Sequence, residues 1–179
     1  MERTQVWLRL VCFGFGMVVG ILLPDKAGRR FFPHPDAPGA QLVRLMLGVT
    51  KTVVGCAVAV VAAPLPVAVS ILYTGLGVYA AQTAMQPRPE RQTLPIICTW
   101  LILFLPFTGA LACLGGGLLV LAADVPGLAG LAILVLAAPM ALLQFGAEGC
   151  FVLLGAAALL CARQMMPQRT RSGVSRHSG

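Results

Sequence analysis

The 179-residue sequence predicts an all-α, polytopic membrane protein: one bundle of about four transmembrane helices, some kinked or split at proline. Three observations carry that expectation. Hydrophobic residues make up 58% of the chain and charged residues 11%, against roughly a quarter charged in soluble domains. The run Gly127 to Ala162 contains one carboxylate, Glu148, and one amide, Gln144, leaving no polar face to meet water. The basic residues behind the net charge of +7 lie mostly in termini and short connections, as membrane-orienting charge does, with no basic helix or aromatic platform for nucleic acid.

The first apolar block, residues 6–23, carries Arg3 and Arg9 at its start. No small-x-small cleavage site follows Leu23, so an uncleaved membrane helix is expected, with Arg9 snorkelling to the interface. Residues 24–52 form the polar loop. Its Phe31-Phe32-Pro33-His34-Pro35-Asp36-Ala37-Pro38 core cannot be helical, because each proline disfavours helix before it. Gln41 to Thr52 mixes apolar residues with Arg44 and Lys51, which suits an interfacial helix or the first turns of the next span.

The second block, 53–81, contains Ala63-Pro64-Leu65-Pro66, two prolines that should kink or break a helix. The third, 94–123, holds Pro106 near its middle. Asp124-Val125-Pro126-Gly127 reads as a tight turn into the fourth block, 127–162, which contains Pro139. Blocks two and four exceed one crossing, yet fall short of two crossings plus a turn at about twenty residues each. Tilted, kinked helices projecting from the bilayer are the expected solution, and a re-entrant or split arrangement is the alternative. Ala57-x-x-Val60-x-Ala62-Ala63-Pro64 in block two recurs as Ala132-x-x-Val135-x-Ala137-Ala138-Pro139 in block four, a pattern that chance or an internal repeat would produce. Residues 163–179 form a basic tail with four arginines and no acid, expected to be disordered and cytoplasmic. Under four crossings both termini would be cytoplasmic, with eight basic residues on that side against five on the other.

Glu148 is the sharpest candidate for chemistry, since a carboxylate within a membrane span costs about 3 kcal/mol on insertion scales. Gln144 lies one turn earlier and would share its face if the helix is continuous. Two readings follow: an ion or proton site, or a structural group marking a kink or bonding between helices. One acid without a partner does not make a pathway. Small residues at four-residue spacing, Gly16 and Gly20, Gly77 and Ala81, and Gly109, Cys113 and Gly117, suit close helix packing within the chain or between copies. Trp100, Tyr73 and Tyr79 read as interface or packing aromatics.

The six cysteines lie in apolar runs with no CxxC pair, as small buried hydrophobes do; Cys161, two residues before Arg163 at the end of an apolar run, is a juxtamembrane position open to S-palmitoylation. Ser172, among the tail arginines, is a possible phosphorylation site able to weaken attraction to anionic lipid. Asp25, His34 and Asp36 match no metal signature, and no metal or other cofactor is expected. Without asparagine there is no N-glycosylation acceptor. No nucleophile elbow, Walker loop or HExxH helix occurs, so no catalytic residue is assigned and the expected role is non-enzymatic. The expected function is that of a small scaffold or accessory factor in an endomembrane or the plasma membrane. Its expected partners are the lipid bilayer and other membrane proteins or further copies of itself, plausible settings being membrane trafficking or complex assembly. The alternative is a small oligomeric channel or transporter using Glu148.

Overall fold

The computed structural model describes residues 2–22, 38–85, 89–123 and 126–165, and all of its regular structure is helical. Six helices follow in order: α1 (Glu2–Leu22), α2 (Pro38–Ala62), α3 (Val67–Met85), α4 (Pro89–Phe104), α5 (Pro106–Ala123) and α6 (Pro126–Met165). Prolines set most of the starts. α2, α4, α5 and α6 each begin on a proline and α3 begins just after Pro66, because a first-turn proline has the right φ and its missing N–H would have no helical partner anyway. Four helices contain stretches long and apolar enough to cross a membrane: Arg3–Ile21, Leu45–Ala62, Val67–Met85 and Leu128–Met165. The apolar parts of α4 and α5, Thr93–Phe104 and Pro106–Leu118, are shorter.

The polar loop is shorter than the sequence suggests. α2 takes up residues 38–52, and Lys51, expected in an interfacial stretch, is only 3% exposed. The second apolar block is split by Pro64 and Pro66 into the end of α2 and most of α3, which runs on to Met85, so it does not continue as one tilted helix. Residue contacts fix the directions. α1 and α3 run parallel, with Gly16 against Thr74, Gly20 against Ala81, and Gln82 Nε2 donating to the Gly20 carbonyl at 2.6 Å. α2 is antiparallel to α3, with Gly55 near Thr74 and Cys56 Sγ near the Ile71 carbonyl.

The third block turns at Leu105. A Cβ placed on Gly109 would meet the Leu101 carbonyl, eight residues back, where a straight helix would separate the two by about 12 Å. Cys98 and Cys113 lie against each other further along the same pair, so α4 and α5 form an antiparallel hairpin. The turn keeps its backbone pairing, Leu105 N–H to Leu101 O at 2.7 Å and Gly109 N–H to Leu105 O at 2.6 Å.

α6 also folds back on itself, at Gly146, whose φ of 71° and ψ of −165° lie outside the helical region. A Cβ on Gly130 would sit 3.3 Å from Leu160, and one on Gly149 would sit 3.4 Å from the Ala141 Cβ. A continuous helix would hold residues 130 and 160 about 45 Å apart. The turn therefore belongs to the split arrangement and not to a bend at Pro139, which lies inside helix. The Ala-Ala-Pro pattern shared by blocks two and four has no shared structural consequence: Pro64 sits in a helix break and Pro139 does not.

Placed together, these pairings give the bundle two unlike ends. At one end are the start of α1, the 63–66 connection, and the Leu105 and Gly146 turns, whose Phe104 and Phe145 rings stack at 4.6 Å. At the other lie the end of α1, the start of α2, and both outer ends of each hairpin. α1 thus starts at the end of the bundle opposite the finish of α6, unlike the arrangement expected from four simple crossings. The core between the ends holds Leu72, Val78, Tyr79, Ile97, Trp100 and Leu101, with Tyr79 and Trp100 rings 6.2 Å apart.

Candidate functional site

Glu148 is not solitary. Its Oε2 lies 3.1 Å from a terminal guanidinium nitrogen of Arg9, and its Oε1 accepts a 2.8 Å hydrogen bond from the Tyr73 hydroxyl. The Arg9 guanidinium stands 6.0 Å from the centre of the Tyr73 ring. Three helices meet in this group: α1 supplies Arg9, α3 Tyr73 and α6 Glu148.

Local geometry explains why. Arg9 lies on the α1 face that continues through Phe13, Gly16 and Gly20, the face packed on α3. It therefore turns inward to Glu148 and does not snorkel to the interface. Tyr73 is six residues into α3, about 9 Å from that helix's start. The Gly146 turn makes Glu148 the second residue of a new helical leg, where the unpaired N–H groups of the first turn favour a negative side chain. A guanidinium, a phenol and a helix start together compensate a carboxylate that alone would be costly in an apolar bundle.

The same turn separates the two residues expected to act together. Gln144 and Glu148 lie on opposite sides of Gly146, so the i, i+4 relation of a continuous helix is lost; Gln144 is exposed and Glu148 is half-buried. Arg9 and Glu148 are 29% and 33% exposed at the side chain, and Arg9 Nε is buried with no hydrogen-bond partner. Ser70 Oγ and Trp100 Nε1 are likewise buried without a partner.

The small residues do different things. Cβ atoms on Gly16 and Gly77 would run into the backbone of the facing helix, at Thr74 and Phe13 respectively, and Gly20 lies against Ala81. Gly109 sits inside the α4–α5 turn against Leu101. Gly117 has nothing within 4 Å of a built Cβ; its neighbour Gly116 is the one pressed against Ile133. Gly75, beneath the Trp100 indole, is a further close contact outside the small-residue series expected from spacing. Cys161 is half-buried near the end of α6. Ser172, Asp25, His34 and Asp36 lie outside the described residues. Among the described residues no group of three or more His, Cys, Asp or Glu could hold a metal ion.

Two charged residues carry more than spacing suggested. Arg9 is seven residues inside α1, and Lys51 lies in mid-α2, buried and engaged in a polar interaction. The available signal was depth: each is followed by ten or more residues of nearly unbroken apolar helix. Comparison with protein-family models, with curated proteins and with solved structures found no match, so the chain's own residues carry the functional reading.

Proposed function

We propose that this chain is a multi-pass integral membrane protein acting as a non-enzymatic scaffold or accessory factor through helix contacts. In this reading α1, α2 and α3 cross the bilayer, and the α4–α5 and α6 hairpins enter it from one side. The turns are apolar, with Phe104-Leu105-Pro106-Phe107 at one and Leu142, Leu143 and Phe145 at the other, which suits chain reversal within the membrane better than in water.

The distribution of charge supports an orientation. Following helix direction, ten of the thirteen Lys and Arg residues lie toward the hairpin-entry end: Arg44 near the start of α2, Arg91 near the start of α4, Arg163 near the end of α6, four in the connections and three in the tail; Arg3 and Arg9 lie toward the other end, and Lys51 is in mid-α2. The eight-to-five bias of a four-crossing chain thus becomes ten to two, with Lys51 assigned to neither side. The positive-inside rule then puts the hairpin-entry end and the C-terminus in the cytoplasm and the start of α1 on the far side.

The observation that carries the scaffold reading is the engagement of both Glu148 oxygens, one by Arg9 and one by Tyr73. An acid tied to two other helices serves packing, whereas a permeating cation or proton would need it released. The channel or transporter alternative draws on the helices broken at Leu105 and Gly146, since interrupted helices frame the binding sites of many transporters. Liposome flux separates the two. The scaffold reading expects no cation or proton flux from purified protein, with or without Glu148→Gln, together with stable co-purification of another membrane protein or a second copy. A flux that Glu148→Gln abolishes would replace it with the channel reading.

A further inference from the structure

We propose that a water-filled recess, open at the end of the bundle where α1 begins, reaches the Arg9–Glu148 pair and stops there. The inference rests on the membrane placement of α1–α3, but not on whether the chain is a scaffold or a channel. Its first support is the backbone. Gly146 is non-helical and exposed, and Glu148, two residues on, is bonded to Tyr73, about 9 Å inside the start of α3. Interrupted backbone at membrane depth persists only where protein buries it or water reaches it, because hydrocarbon offers no hydrogen bond. Protein does not cover Gly146, which leaves water as the group able to bond its backbone at that depth.

The side chains give a second, independent argument. Arg9 and Glu148 each leave about a third of the side chain uncovered (29% and 33%). Facing lipid, that uncovered charge would be expensive; facing water, it is hydrated at no such cost. Gln144 and Ala147, beside the turn, are exposed as well. Within the pair the buried Arg9 Nε has no protein acceptor, and a water molecule is the smallest group able to supply one. A bound anion fits less well, because Glu148 already neutralises the guanidinium.

The recess is closed below. Toward the opposite end Leu101, Trp100, Ile97, Val78 and Tyr79 are all buried, and they fill the core beyond the pair. Water therefore enters from one side and does not pass.

The test uses full-length protein in sealed vesicles with a charged, membrane-impermeant maleimide added outside or trapped inside. Gln144→Cys and Ala147→Cys are read by peptide mass spectrometry, so that the six native thiols are scored separately, and Ser172→Cys in the tail reports the opposite side. The expected result is labelling of positions 144 and 147 only from the side opposite that which labels position 172. Labelling from both sides, or from neither, would overturn the recess. Amide hydrogen exchange on the unmodified protein provides a second readout that needs no variant to fold: exchange across Gly146–Glu148 should be faster than at Val78–Tyr79 by about tenfold or more, and equal protection would overturn it too.

Discussion

The first three helices and the two hairpins use glycine in opposite ways. Between α1 and α3, Gly16 and Gly77 remove side chains so that two backbones touch along much of their length, and the helices stay whole. In the hairpins, glycine accompanies reversal: Gly109 lets α5 fall back on Leu101, and Gly146 adopts a positive φ that allows α6 to return along itself. One part of the molecule is held by close backbone approach. The other is held by bulky side chains, Trp100, Ile133 and Leu160, packed across short legs. The Arg9–Glu148–Tyr73 group ties the two together near the hairpin turns.

This contrast breaks most easily at the close backbone contact. Gly16→Leu or Gly77→Val would press a side chain into a facing backbone that cannot rotate away, and each should cost about 3 kcal/mol or more. Reversible unfolding in mixed detergent micelles would measure it, and a loss below half that size would show that α1 and α3 are not held by backbone contact. The next largest effect is at the tie. Arg9→Met alone strands Glu148 and should destabilise by about 2 kcal/mol, discounted from a fully buried pair because both groups are partly exposed. Arg9→Met combined with Glu148→Met should recover most of that loss in a double-mutant cycle, and simple additivity would show that the pair contributes no coupling.

A smaller effect separates the two candidate bending points of α6. Gly146→Ala puts a Cβ on a residue with φ of 71° and should cost about 1–2 kcal/mol. Pro139→Ala should leave the fold intact and stability no lower, since it restores a helical N–H. Reversed ranks would move the turn to the proline. Smallest is Gly117→Ala, where a Cβ meets nothing; unfolding should be unchanged or slightly harder, given alanine's preference for helix. A marked loss there would point to a partner covering that face.

Much of the fold class was legible because it depends on bulk properties. Long apolar stretches, scarce charge and the Pro64–Pro66 break are visible residue by residue, and the close contacts at Gly16, Gly20 and Gly77 follow from four-residue spacing. The Gly146 turn was not legible. Glycine is common in this chain, and nothing local distinguishes Gly146 from Gly155, which stays helical; what selects it is the packing of the two legs, through contacts thirty residues apart such as Gly130 with Leu160. The partners of Glu148 were hidden for the same reason, because Arg9 and Tyr73 lie 139 and 75 residues away in sequence. Proline misled in the opposite direction. Pro64 and Pro139 follow the same Ala-Ala pair, but one ends a helix and the other is tolerated within it.

The fold-back of α6 supports the end assignment, the charge asymmetry and the recess alike, so it is the feature to measure. Spin labels on Leu128→Cys and Ala162→Cys, both exposed in the structure, would lie on adjacent legs at the same level. Pulsed dipolar spectroscopy in nanodiscs should give a separation below about 25 Å, allowing for the label arms and neighbouring helix axes about 10 Å apart. A separation near 51 Å, the length of about thirty-four residues of continuous helix, would contradict the account.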